Sequence, residues 1–167
     1  MQITIRTASE ADIPLIRRLA EAAFPPTYAP ILTPAQLDYM MAWMYSDESL
    51  HSQFAEGQTF YIASCDGEPC GYLSIEPQGP SLFHLQKIYV VPALQGSGVG
   101  EALFRRAVGH VRTHGLLPAR MELNVNRHNR ALGFYERMGM QRLRSVDLPI
   151  GEGFYMNDYI MGLEVHA

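Results

Sequence analysis

Leu85-Gln-Lys-Ile-Tyr-Val-Val-Pro-Ala-Leu-Gln-Gly-Ser-Gly-Val-Gly100 is the stretch whose reading decides the fold. Leu85 to Val91 is apolar and β-branched enough to form a strand, and Pro92 ends it by withholding a ladder donor. Gly96, Gly98 and Gly100 follow at alternate positions and open into Glu101-Ala-Leu-Phe-Arg-Arg-Ala-Val, a helical pattern. A glycine-rich turn entering a helix gathers unpaired N–H groups at the positive end of the helix dipole. Phosphate binds in such a place. The spacing therefore predicts a phosphorylated ligand at Gly96–Gly100.

Two familiar phosphate patterns fail here. A dinucleotide fingerprint needs a glycine three residues after Gly98, and that position is Glu101. A Walker A loop needs Gly-Lys-Ser/Thr, a triplet found nowhere in the chain. What remains is Gln95-x-x-Gly98-x-Gly100 behind a strand ending in Tyr89-Val90-Val91-Pro92. Downstream stands a second motif, Leu123-Asn-Val-Asn-Arg-His-Asn-Arg-Ala-Leu-Gly-Phe-Tyr-Glu-Arg-Met-Gly139-Met. Its Asn129 suits a helix N-cap, and Gly139 suits a left-handed stop. Together the two motifs resemble the Gcn5-related N-acetyltransferases (GNAT). Leu132 and Met140 stand where Ile and Phe are commoner in that family.

The resemblance implies an α/β fold of the acyl-CoA N-acyltransferase type, a mixed central sheet of about seven strands with helices on both faces. It implies acetyl-CoA as cosubstrate. Carried over, Gln95, Gly96, Ser97, Gly98, Val99 and Gly100 hold the pyrophosphate. The main chains of Ile88 and Val90 meet the pantetheine and the thioester carbonyl. For Asn129, contact with the pantetheine arm and N-capping are rival readings of one side chain. Tyr135 matches the general acid, hydrogen bonding the departing sulfur as charge develops on it. The base is left between two candidates. His84 lies near the family's carboxylate position, and imidazole is a common general base; Glu122 stands on the neighbouring strand.

Composition agrees with this reading. At 167 residues the chain is expected to form one domain over 1–167. Seventeen acidic against thirteen basic residues give a net charge of −4, which argues against a nucleic-acid surface and favours a cationic small substrate. No apolar run is long enough to span a membrane, and the N-terminus lacks a secretory apolar core, so cytoplasmic residence is expected. Cys65 and Cys70 flank the Asp66-Gly67 turn and are expected to be reduced and half-buried. His110 and His114 share a helix face without a third ligand, so no metal is expected and both are read as solvated.

Around the motifs, the pattern predicts a strand over 2–7, a Ser9-capped helix over 10–24 and a proline-rich loop from Phe24. A Thr33-capped helix runs to Tyr45, and a short one spans 49–56. Strands are expected at 59–64, 70–76, 83–91, 120–125, 140–148 and 154–165, with helices at 98–114 and 129–138. The segment Tyr28–Ser46 resembles that of PaiA-type acetyltransferases, which act on polyamines. Tyr28, Asp38, Tyr39, Asp47 and Glu48 would then edge an acceptor site. The expected reaction is direct acetyl transfer to a primary amine of a small molecule. A protein N-terminus or lysine is the alternative acceptor, and a CoA-binding regulator without turnover is the alternative class. Family analogy implies a dimer.

Overall fold

The computed structural model describes all residues, 1–167. In chain order it has β1 (Ile3–Thr7), α1 (Ile13–Tyr28), α2 (Pro34–Tyr45), α3 (Asp47–Ala55), β2 (Thr59–Cys65), β3 (Glu68–Gly79) and β4 (Leu82–Val90). Then come α4 (Val99–His114), β5 (Ala119–Asn126), α5 (Ala131–Arg137), β6 (Gln141–Gly151) and β7 (Phe154–Val165). The strands form one seven-stranded sheet in the order β1-β2-β3-β4-β5-β7-β6. Only β4 and β5 run parallel, joined by α4. The mixed α/β architecture expected from the sequence is the one observed. No helix is long and apolar enough to cross a membrane.

Each face of the sheet buries its own core. Val99, Leu103, Phe104, Ala107 and Val111 recur at helical spacing along α4 and pack on Leu73, Ile75, Phe83, Leu85, Met121 and Leu123. Ile13, Ile16, Leu19, Ala20 and Phe24 of α1 pack with Met40, Leu50, Phe60, Ile62 and Tyr72 on the other face. His110 continues the α4 stripe and is buried, not solvated. Tyr61 Oη lies 2.8 Å from its Nδ1, and the His114 ring sits 4.3 Å away. Burial holds His110 well below the usual histidine range, at about 4. Both cysteines are free thiols, more deeply buried than expected.

The chain departs from the expected loop at Phe24. Helix α1 continues through Pro25 and Pro26 to Tyr28. Two prolines withhold the donors that would reach the carbonyls of Glu21 and Ala22, but those residues are exposed and water can replace the lost bonds. Thr27 Oγ1 donates to the Ala23 carbonyl at 2.8 Å, and the Ala29 N–H reaches the Pro25 carbonyl. The extra turn brings Tyr28 onto the sheet beside Phe24 and Tyr89.

β4 carries a bulge. Ile75 of β3 faces Leu85, but the preceding Ser74 faces Lys87, so Gln86 is an extra residue. The bulge reverses the alternation along β4. Phe83 and Leu85 point toward α4, and so do Ile88 and Val90 beyond it, while Lys87 and Tyr89 turn to the α1–α3 side.

Candidate active site

β4 and β5 pair only from Leu82–His84 with Arg120–Glu122 and then splay apart. Beyond the bulge, the Val91 N–H donates to the Cys70 carbonyl at 2.9 Å on the β3 side. Alternation then points the main chains of Ile88 and Val90 the other way, into the gap beside β5. The Val90 carbonyl there accepts Gln95 Nε2 at 3.2 Å, which ties the loop to the strand.

The loop from Gln95 to Gly100 is held open by Gly96 (φ 81°) and Gly98 (φ 97°), both in the left-handed region that disfavours side chains. The N–H groups of Gly96, Gly98, Val99, Gly100 and Glu101 make no backbone hydrogen bond, and the α4 ladder begins with Ala102 N–H on the Gly98 carbonyl. This concave set of free donors at a helix N-terminus fits a pyrophosphate. Ser97 departs from expectation, because its hydroxyl and its N–H both turn back to the Leu94 carbonyl. The Phe134 ring lies under Gly100, within 3.7 Å of where a Cβ would stand.

Tyr135 emerges from α5 and is buried, with no hydrogen-bond partner on its hydroxyl. Burial, then the nearby Tyr28 phenol, pushes its pKa above the usual range for tyrosine. Asn129 Oδ1 accepts the Ala131 N–H at 2.9 Å at the start of α5, and its amide lies beside the Tyr28 phenol.

On the opposite side of the splayed strands lies a cleft of about 820 Å³ between α1–α3 and the sheet. Tyr28 and Tyr89 meet there through their hydroxyls at 3.0 Å. His84 lines it, but its Nε2 is 2.9 Å from Asn124 Oδ1 and its Nδ1 is buried without a partner. Asn124 Nδ2 is in turn 3.4 Å from Asp158 Oδ2. The three side chains form one hydrogen-bonded chain, in which Nε2 faces the Asn124 oxygen and Nδ1 meets no partner. Glu122 is not brought into the cleft. It lies 3.4 Å from Arg120 and 3.5 Å from Arg144, outside the lining. Of the expected acceptor-edging residues, Tyr28 and Glu48 line the cleft, whereas Asp38, Tyr39 and Asp47 do not.

Two residues that carry charge in the cleft escaped the sequence reading. Asp158 of β7, opposite Asn126 of β5, is 2% exposed. Burial raises its carboxyl to about 6, against smaller opposing effects of Asn124 and Arg127. Lys87 is 6% exposed and donates to Gln53 Oε1 at 2.6 Å and Gln58 Oε1 at 3.2 Å. Its signal in sequence was an ionic residue inside an apolar strand, as was that of Asp158.

The description "Acetyltransferase (GNAT) domain" matches residues 29–147. The chain belongs to the GNAT family. As a GNAT enzyme it is an acetyl-CoA-dependent N-acetyltransferase. It is 25% identical over 159 residues, 90% of this chain and 91% of the other, to an uncharacterised N-acetyltransferase in the pepI 3′ region of Lactobacillus delbrueckii subsp. lactis. Its fold is similar to that of PaiA N-acetyltransferase from Thermoplasma acidophilum, solved in complex with coenzyme A. The TM-score is 0.81 at 22% identity, over 98% of this chain and 99% of that one. It is also similar to the ribosomal-protein-S18-alanine N-acetyltransferase from Escherichia coli, with TM-score 0.74 at 20% identity, over 99% and 96% of the two chains.

Proposed function

We propose that this GNAT enzyme acetylates a primary amine of a small molecule by direct transfer, with Tyr135 as acid and Asp158 as base. The observation that supports it is the arrangement around the β4–β5 gap. Free main-chain donors lie in the gap, a phenol without a partner stands nearby on α5, and a cleft holding a carboxylate lies on the other side. Acetyl-CoA supplies the acetyl group as an activated thioester.

The residues divide the work by position. The N–H groups of Gly96, Gly98, Val99, Gly100 and Glu101 bind the pyrophosphate, and the Asn129 amide, beside Tyr28, is placed to meet the pantetheine arm. Fixed donors at Ile88 and Val90 stabilise negative charge on the carbonyl oxygen, an effect typically of about 2.7–4 kcal/mol per donor. An alkylammonium must lose a proton before it attacks, at a cost of about 4.6 kcal/mol at pH 7. Asp158 accepts that proton. The amine nitrogen bonds to the carbonyl carbon, the C–S bond breaks as Tyr135 gives its proton to the sulfur, and the second proton of the amine nitrogen, lost as the amide forms, restores the phenol. With Nε2 engaged and Nδ1 enclosed, His84 positions Asn124 and, through it, Asp158.

A second reading, a polyamine acceptor, is favoured by the exposed Glu48 and Glu56, which line the cleft. The test of the shared core is thiol release from acetyl-CoA with a panel of amines, wild type against Tyr135→Phe. The expected result is amine-dependent release that falls about 10²–10⁴-fold in the variant. Release that no amine stimulates, with coenzyme A still bound, would remove the enzymatic assignment of these residues.

A further inference from the structure

The cleft holds a buried lysine without a counter-ion. Glu48, Glu56, Lys87 and Asp158 are the charged residues of its lining, so Lys87 is the only positive one. The Lys87 ammonium is packed over the rings of Phe60, at 5.4 Å, and Tyr45, at 5.9 Å. It takes part in none of the protein's ion pairs; both of its hydrogen-bond acceptors are neutral amides. Glu76, the acid that acts on it from a distance, accepts Gln86 Nε2 instead. Gln53 is locked in place, since its Nε2 donates to the Met44 carbonyl at 2.7 Å and to Ser49 Oγ at 3.0 Å. The third ammonium proton has no acceptor in the protein, and the Gln58 NH₂ is likewise unpaired.

Burying a charge in this way is costly unless a partner arrives. The ammonium proton and the Gln58 amide are two donors at one point of the wall. That number suits the two oxygens of a carboxylate and falls short of what a phosphate dianion requires. We infer that the acceptor amine also carries a carboxylate, which Lys87 and Gln58 hold at the α3 side of the cleft while the amine lies toward Asp158. This deepens, and rests on, the acetyl-transfer reading. It sets the acceptor class as amino acids or related zwitterions, in place of polycations. β5 stands between β4 and β7 and has already splayed from β4 at Lys87, so the two ends are separated by at least two strand spacings, more than roughly 10 Å, at the backbone. An extended acceptor is thus favoured over a compact one.

The test has two arms. In the first, ω-amino acids of four to eight carbons are compared with α,ω-diamines of equal length as acceptors, for wild type, Lys87→Met and Lys87→Arg. The expected result is an amino-acid preference of at least tenfold in kcat/KM that collapses in Lys87→Met, mainly through KM, and partly returns in Lys87→Arg. Diamine preference in the wild type, or a ratio that Lys87→Met leaves unchanged, overturns the inference. The second arm needs no turnover. Binding of an N-acetyl-ω-amino acid is measured by calorimetry at pH 8 in buffers of different ionisation enthalpy. Carboxylate binding should draw a proton onto Lys87, with net proton uptake in wild type and none in Lys87→Met. No binding, or binding without Lys87-dependent uptake, overturns the anion site even where amines are acetylated. Lys87-dependent uptake with no amine turned over would sustain the anion site and remove the acetyl-transfer reading instead.

Discussion

Lys87→Met should make the protein more stable in neutral and mildly acidic solution, and the gain should fade as pH rises. Burial lowers the Lys87 pKa from its ordinary 10.5 to about 7. At about 1.36 kcal/mol per pH unit, the charged side chain costs the native state about 5 kcal/mol at pH 6. The sign follows from proton counting. Between about pH 7 and 10.5 the unfolded chain keeps the lysine proton and the native chain does not, so wild-type stability rises with pH across that window. Methionine has similar length and no charge, but it leaves Gln53 and Gln58 Oε1 without their donor, a loss of about 2 kcal/mol. The net expectation is a gain of roughly 2–3 kcal/mol at pH 6 that falls to about zero near pH 9. Urea unfolding of both proteins from pH 6 to 9.5 reads this directly, and the other titrating groups cancel in the difference. A stability difference that does not vary with pH would refute the claim that Lys87 is a buried cation without a counter-ion.

Gly98→Glu should lower coenzyme A affinity by at least about 100-fold, since it puts a side chain at φ 97° and a carboxylate into the phosphate nest; unchanged affinity by calorimetry would show that the loop is not the cradle. Asp158→Asn should lower kcat/KM about 10²-fold or more and erase the acidic limb near pH 6, below which the wild-type carboxyl is protonated and cannot accept; a limb that survives in the variant would move the base elsewhere. His110 is held near 4, below its unfolded range, so the unfolded chain binds more protons between about 6.5 and 4 and wild-type stability falls as pH drops through that window. His110→Phe should flatten this fall in acid-unfolding curves, and an unchanged slope would mean that His110 does not contribute.

The glycine loop was legible in sequence because its geometry is local. A strand, a proline, alternating glycines and a helix stand within one short run, and free donors at Gly96 and from Gly98 to Glu101 follow from that order alone. Sheet composition and the α4 and α5 helices were legible for the same reason. The α1 terminus was not. Pro25 and Pro26 signal a break, and the contacts of Phe24 and Tyr28 with Tyr89 that override it lie in a strand more than sixty residues away. Likewise His110 read as a surface histidine until Tyr61 supplied its partner from β2. The acceptor side stayed out of reach because its charges converge from separate elements. Asp158 comes from β7, Asn124 from β5, and Lys87 is received by Gln53 of α3 and by Gln58 just before β2.

The bulge at Gln86 links the two halves of the site. Regular alternation would place residue 87 on the same face as Phe83 and Leu85, against the α4 core, where an ammonium would meet only apolar side chains. The one added residue sends Lys87 and Tyr89 to the acceptor cleft. It also seats Ile88 and Val90 on the α4 side, with their main chains aimed at the gap where β5 has splayed away. In the proposed mechanism, donor-side polarisation and acceptor-side charge therefore trace to a single irregularity in β4. Such a feature weakens the ladder locally, and the buried lysine weakens the fold further, so neither has a purely structural justification. Their coincidence within two residues is what the proposed mechanism needs, with the main chain assigned to polarise the thioester and the lysine assigned to orient the acceptor fixed on one rigid strand.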